Sequence, residues 1–408
     1  MRVCVVLGLL LAQGAPDAPR WSRLHLTREF WAEGACVADV NRDGHADVLS
    51  GPFWYEGPSF SKRHEIYRAK ASYVRRRSGG APETVPGFMG FDSGENGYSD
   101  NFLSFSGDID GDGWADYLVV GHPGKEACWY ENPRGKPGPW PRHLVLATVD
   151  NESPSFIDLT GDGRRELICM HGGNLGYAMP DPSSPRTPWR WHPVTQGRSW
   201  KWNTHGLGYG DLNGDGRLDL ITSLNWWEQP PSLEGNPLWK QHDQVFSNGG
   251  AQMFACDANG DGRGDVMTSD EGHGYGLLWH EQTGEPGRTA WVKHTIAGRT
   301  PDEGETGVVF SQPHALDLAD INGDGLMDLV TGKRIWAHGP KGDPEPNAPA
   351  VLYWFELRRE NGKARYVAHR IDGDSGVGTQ VRATDVNGDG KTDVVVGNKK
   401  GVFVHLQR

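Results

Sequence analysis

Acidic residues recur in seven short stretches of one design, with carboxylates or amides at the first, third, fifth and ninth positions and a glycine at the sixth. These are Asp39, Asn41, Asp43 and Asp47; Asp108, Asp110, Asp112 and Asp116; Asp158, Asp162 and Glu166; Asp211, Asn213, Asp215 and Asp219; Asp257, Asn259, Asp261 and Asp265; Asp320, Asn322, Asp324 and Asp328; and Asp385, Asn387, Asp389 and Asp393. Ca²⁺ takes six to eight oxygens at about 2.3–2.6 Å, and alternate residues of a tight turn can point at one centre. A glycine such as Gly216 permits the sharp bend. The chemistry expected is structural calcium binding. The other reading, open for any one loop, is a metal-free turn tied by Asx hydrogen bonds. It fits the third loop best, where Thr160 replaces the amide and Glu166 the last Asp.

Six residues before each loop stand Glu33, Phe102, Glu152, His205, Ala251, His314 and Thr379. If the following strands converge on an axis, these residues ring its mouth. Imidazole nitrogens hold Zn²⁺ or a similar divalent transition ion at about 2.0–2.1 Å, and a catalytic site keeps one position open. His205 and His314 are the expected ligands, with Glu152 as a third. The ends of the next strands add polar groups on the same face. Of these His122, His171 and Asp270, joined by Gln380, are candidates for binding a substrate, beside His273 and Lys333. Long inserts at 70–101, 298–313 and 333–351 fall there too, and long connections are often functional. Phe88, Phe91, Tyr98 and Trp202 on this face are suited to stack on sugar rings. A Glu33/Glu152 glycosidase pair is a weaker option, because it needs carboxyls about 5–5.5 or 6.5–9.5 Å apart. The plain alternative is a wet polar channel whose histidines only hydrogen-bond.

The elements that would position these residues are read from the repeat. The loops recur about every 58 residues, a period typical of propeller and array architectures. Each follows an apolar run and precedes another, such as Asp393-Val-Val-Val. A third strand is marked by an aromatic pair and an acid, as in Trp54-Tyr55-Glu56 and Trp354-Phe355-Glu356. A fourth is marked by an aromatic residue three before a histidine: Trp140/His143, Trp189/His192, Trp239/His242, Trp291/His294 and Tyr366/His369, with His64 in the same place in the first repeat. The last repeat stops after its third strand near Phe403, and Trp21-Ser-Arg-Leu-His25 supplies the missing one. The expected fold is all-β: a seven-bladed β-propeller of four-stranded blades over 15–408, closed by the N-terminal strand, which leaves no open sheet edge.

Composition agrees with many short strands: 57 glycines, 27 prolines and 17 tryptophans in 408 residues, without helical periodicity. Arg2, the apolar run Val3–Ala12 and the small residues Ala12 and Gly14 read as a signal peptide over 1–14, which implies a secreted or periplasmic protein. Cys36, Cys128, Cys169 and Cys256 lie in four different repeats without CxxC spacing, and buried free thiols are expected. The net charge is −12, and 22 of the 53 acidic residues sit in the loops. No basic face speaks for nucleic acid, and no apolar stretch is long enough for a membrane span. Oligomeric state is not legible.

The loops resemble the FG-GAP/VCBS repeat family, whose resemblance implies a seven-bladed propeller with calcium in such loops. Four further stretches, His205-Gly-Leu-Gly-Tyr-Gly-Asp211, His273-Gly-Tyr-Gly-Leu-Leu-Trp-His-Glu281, Ser311-Gln-Pro-His314-Ala-Leu and Thr331-Gly-Lys333-Arg-Ile-Trp-Ala-His338, resemble the propeller domain of the aldos-2-ulose dehydratase/isomerase family. That resemblance implies a metal-dependent lyase acting on keto-sugars. The cupin domains of that family have no counterpart here, which puts the isomerase activity in doubt. β-Elimination beside a ketone needs a Lewis acid on the carbonyl and a base for the α-proton. On this reading His273 is the candidate base, and Lys333 or His338 orients substrate oxygens or protonates the leaving group. A non-catalytic propeller binding glycan or protein is the alternative.

Overall fold

The computed structural model describes residues 19–76, 80–197, 200–285 and 288–408. The segment expected as a signal peptide, 1–14, lies outside them. The described residues fold into a propeller-like ring of antiparallel sheets, and their one helical piece is a 3-10 turn at Phe91–Ser93. Cys36–Ala38, Asp47–Ser50, Phe53–Tyr55 and Arg63–Glu65 form a four-stranded sheet in chain order. The same meander recurs within residues 103–149, 155–193 and 316–372. Short chain-order meanders follow because each repeat supplies four apolar runs and a tight turn between each pair. The second strands, such as Asp116–Val120 and Asp393–Asn398, are buried along their whole length.

The last sheet is closed from the other end of the chain. Trp21–Thr27 pairs antiparallel with Gly401–Gln407, from Trp21 opposite Gln407 to Thr27 opposite Val402. Gly401–Gln407 pairs in turn with Asp393–Asn398, and that strand with Val381–Thr384. The expected closing strand is therefore present.

One departure from the expected separate blades concerns residues 207–297. Leu207–Gly210 and Gln252–Cys256, each the first strand of its own meander, pair in parallel, so that two sets of four strands become one eight-stranded sheet. Glycine is the cause. A Cβ on Gly208 would lie 1.8 Å from the Met253 carbonyl oxygen, and one on Gly210 would lie 2.2 Å from the Ala255 Cβ. Without side chains there, the two backbones come close enough to hydrogen-bond. The other sheets are five separate four-stranded ones and a two-stranded ribbon, Ser72–Arg75 with Glu83–Pro86, in the first insert.

Two repeated contacts hold the sheets. The first concerns the ninth position of each loop, where Asp47, Asp116, Glu166, Asp219, Asp265, Asp328 and Asp393 are fully buried. Their carboxylates accept from backbone amides, at least one of them in the loop itself. Asp219 accepts from Leu212 N and Gln229 N at 2.9 Å each, and Asp328 from Ile321 N at 3.0 Å and Leu357 N at 2.8 Å. Six of these residues, expected as calcium ligands, therefore tie loop, second strand and third strand together, while Glu166 accepts only from Leu159 N and Thr160 N of its own loop. The first loop residue is also engaged: Asp211 accepts from Gly214, Asp215 and Gly216 N. The second contact is on the outer strands. His25, His64, His143, His192, His242, His294 and His369 each lie over the aromatic ring of the neighbouring third strand, with centroids 3.8–4.9 Å apart. Five of them also reach the third-strand glutamate, as His242 Nε2 does to Glu228 Oε2 at 2.8 Å. The four described cysteines are free, three of them buried.

The parallel seam predicts an asymmetric response to alanine. Gly208→Ala forces a methyl against a backbone oxygen and should cost about 1–3 kcal/mol, as overpacking does. Gly373, with open space around its Cα, should accept alanine without loss. Denaturant unfolding of the two variants against wild type checks this, and equal midpoints for all three would show that the seam carries no strain.

Candidate metal centre

Glu152, His205 and His314 precede the first strands of three sheets, and His273 sits in the turn between Asp265–Ser269 and Leu277–Glu285. The parallel seam draws the sheets of His205 and His273 together. Gly272 then leaves room for the rings: a Cβ there would meet the Cδ2 atoms of His205 and His314 at 3.3 and 3.4 Å. The result is a convergence of donor atoms, all within 4.8 Å of one another. His205 Nε2 is 2.9 Å from His273 Nε2 and 3.1 Å from His314 Nε2. Glu152 Oε2 is 3.4 Å from His205 Nε2 and 3.2 Å from His314 Nε2.

Hydrogen bonds alone serve this cluster poorly. His205 Nδ1 lies 2.9 Å from the Asn203 carbonyl oxygen. A carbonyl only accepts, so Nδ1 carries the proton and Nε2 presents a single lone pair to two other nitrogens. The Nδ1 atoms of His273 and His314 are buried without a hydrogen-bond partner. A tetrahedral ion with bonds of about 2.0–2.1 Å spaces its ligands about 3.3 Å apart, close to the separations seen here. The protonation state fits as well. Burial and the Arg334 guanidinium push His314 down to about 4. Burial, with His314 and Arg334 nearby, pushes His273 far below the ordinary histidine range. Burial alone would raise Glu152, but His205 and His314 hold its carboxyl well below the usual value. Neutral imidazoles and an ionised carboxylate are the form in which these groups bind metal.

A charged layer lies beneath. Arg334, almost fully buried, places Nη2 3.1 Å from Glu33 Oε2 and Nη1 3.8 Å from Glu152 Oε2, with its guanidinium over the Phe102 ring. Lys399 Nζ is 3.8 Å from Glu33 Oε1 and donates to Asn96 Oδ1 and the Trp336 carbonyl. Glu33 and Glu152 therefore share Arg334 and do not face one another across an open volume, as a glycosidase pair would. On the outer side, His338 Nδ1 is 2.8 Å from Asp343 Oδ1, and its exposed ring stacks on His273 with centroids 4.5 Å apart. His273 Nδ1 is 3.6 Å from the same Asp343 oxygen. His273 thus points Nε2 inward with the other donors, where it cannot also serve as the expected free base. Arg334 and Asp343 do not stand out in the sequence: the only signal is their place in the stretch after Thr331 and in the insert at 333–351.

The remaining candidates are placed elsewhere. Lys333 is buried and donates to Ser311 Oγ at 2.6 Å, and burial brings it down to about 8. His171 bonds to Thr148 and packs edge-on against Trp191. Asp270 accepts from the backbone and side chain of Asn248 and lies 3.5 Å from Lys293. Gln380 bonds to the Ser104 backbone, as Gln252 does to Leu316 and Thr379. These two amides help line a cavity of about 510 Å³ beside the first strands. Gln380 is therefore a tie between the first strands of two sheets. His122 lies between Tyr98 and Trp202, beside Phe102.

With this geometry in hand, similarity to known proteins is limited to the fold. Residues 108–169 match an FG-GAP-like repeat and residues 377–402 an FG-GAP repeat. No curated protein matches. Among solved structures, the chain is similar to an Agrocybe aegerita lectin that recognises non-reducing terminal N-acetylglucosamine, at 16% identity and TM-score 0.46, over 96% of this chain and 85% of that one. It is also similar to rhamnogalacturonan lyase YesW, at 12% identity and TM-score 0.44, over 96% of this chain and 73% of that one. The Tc holotoxin pore of Photorhabdus luminescens is matched at 17% identity and TM-score 0.38, over 83% of this chain and 16% of its own.

The charged layer generates a stability prediction. Arg334→Ala leaves Glu33 buried with only Lys399 nearby, and breaking a buried pair from one side costs about 3–5 kcal/mol. Chemical denaturation should show that loss, and a change under about 1 kcal/mol would mean that Lys399 alone neutralises Glu33.

Proposed function

We propose that this FG-GAP β-propeller is an exported, metal-dependent carbon–oxygen lyase acting on oxidised sugars at the mouth where Glu152, His205, His273 and His314 meet. The single observation that carries this reading is the convergence of three Nε2 atoms and one carboxylate oxygen. A divalent transition ion held there, zinc or another, supplies Lewis-acid polarisation of a substrate carbonyl. The chain's own groups move the proton. Asp343 accepts from His338 Nδ1 and so fixes the tautomer that leaves Nε2 free as a base. His338 takes the proton from the carbon beside the carbonyl, the C–H electron pair becomes the new C=C bond, and the β-oxygen leaves with the proton returned by His338. His273 serves as a ligand on this reading, and the exposed His338 takes the role of base.

Seven four-stranded blades remain our reading of the ring. The eight-stranded sheet divides at its one parallel pair into two antiparallel runs of four, like the other sheets. Export is part of the same proposal and rests on the sequence around Val3–Ala12. Among the described residues no helix is long and apolar enough to cross a membrane. Calcium in the loops is also proposed, supplied chiefly from first, third and fifth positions. Two loops gather three carboxylates each, Asp108, Asp110 and Asp116, and Asp158, Asp162 and Glu166. The alternative, a non-catalytic glycan- or protein-binding propeller, is favoured by one observation: the exposed Trp202 on the same rim.

Two tests follow. Ketose and 3-keto-glycoside substrates are assayed for enone absorbance while metal content is measured. His205→Ala and His314→Ala should lose metal and activity together, whereas His338→Ala should keep metal and lose about 10²–10⁴ in rate, the usual worth of a general base. Metal and activity retained in both ligand variants would overturn the site, and a metal-loaded wild type with no enone product would favour the binding module. Separately, a calcium chelator should lower the melting temperature and added Ca²⁺ should restore it; an unchanged melting curve would make the loops metal-free turns.

A further inference from the structure

Trp202 is the most exposed aromatic ring among the described residues, at 59%, yet its backbone is tightly held. Asn203 N donates to Asp150 O at 2.6 Å, Thr204 bridges to Asn151, and Thr204 Oγ1 donates to Lys201 O at 2.7 Å. A fixed segment thus holds an indole out in water, where its apolar surface gains nothing from the fold. The rings beside it are also fixed. Tyr98 donates its hydroxyl to Ala337 O at 2.9 Å. His122 sits between the two, 4.9 Å from Tyr98 and 6.1 Å from Trp202, with Phe102 edge-on at 5.4 Å. His122 Nδ1 lies 3.2 Å from Pro123 O, an acceptor only, so its Nε2 is the acceptor left over. Gly124, two residues on, has a φ of 81°, which favours glycine, and lies beside Trp202.

We infer that Trp202, Tyr98 and His122 form a stacking subsite for a pyranose ring, so that the substrate is an oligosaccharide and not a free monosaccharide. This rests on the sugar-acting reading above and deepens it. A pyranose offers a flat C–H face to an indole and hydroxyls at its edge to an imidazole acceptor. The subsite adjoins the metal centre through shared side chains: Phe102 packs on His122 and carries the Arg334 guanidinium at 5.4 Å, and Arg334 reaches Glu152. Trp202 lies three residues before the ligand His205, whose Nδ1 is held by the carbonyl of Asn203. A ligand with one ring at the metal therefore sets a neighbouring ring on Trp202.

The test is calorimetric binding of cellotriose and chitotriose, with glucose as the single-ring control, to the full chain and three variants, with metal content measured in parallel. At least one trisaccharide should bind wild type more tightly than glucose. Trp202→Ala should weaken it about tenfold, the equivalent of about 1.4 kcal/mol, at unchanged metal content, and Trp202→Phe should restore most of the loss. His205→Ala should lose metal and keep trisaccharide binding, which separates this subsite from the metal centre. Equal trisaccharide affinity in wild type and Trp202→Ala overturns the inference, and so does wild type that binds neither trisaccharide at millimolar concentration.

Discussion

A buried carboxylate that accepts two backbone amides recurs at the end of nearly every acidic loop, and the ring depends on it. In six repeats it holds the start of the loop and the end of the third strand at once, as Asp393 does with Val386 N and Gln407 N. The amide side chain at the second point often reaches onward to the preceding sheet. Gln229 donates to the Leu159 carbonyl, Gln282 to that of Leu212 and Gln407 to that of Ile321. A single carboxylate therefore sets the strand spacing within a sheet and, through its neighbour, the spacing between sheets. Burial raises these acids, Asp116 to about 8 and Asp219 to about 7, while the amide bonds oppose the rise.

Sheet spacing fixed in this way decides what meets at the axis. His205, His314 and Glu152 arrive by the same offset from their loops, so their meeting is a matter of rotation about the ring. His273 arrives differently, from a turn one strand later, and the seam at Gly208 and Gly210 brings it near. Beneath them Arg334 and Lys399, both buried, answer the charge of Glu33 and Glu152. The site is thus held by groups that never face a substrate.

Much of this was legible in the chain itself. The repeat foretold the meanders, the closing strand from Trp21 and the outer-strand histidines, though not that these stack on third-strand rings. Counting back six residues from each loop found three of the four converging donors. What spacing does not reveal is direction. The ninth-position acid is one bond rotation from either the loop or the strand, and only burial against free amides turns it inward. Gln380 looked like a rim residue because amides bind ligands as readily as they bind opposite backbones. Arg334 and Asp343 sit in an insert with its own path, where Trp336 and Glu345 adopt positive φ, and no repeat places them. The fused sheet was invisible because it depends on atoms that Gly208 and Gly210 lack.

The pairing of Trp21–Thr27 with Gly401–Gln407 also has a kinetic meaning. The two strands are separated by nearly the whole chain, and contacts of such long range form slowly because the loop between them must first be ordered. Each internal meander can assemble from local contacts, but the last sheet is complete only when the strand from the other end of the chain docks on it. Until then Gly401–Gln407 has an open edge, which invites pairing with another chain. Ring closure is therefore the step at which refolding and aggregation compete, and a covalent link between the ends of this seam would speed the productive branch.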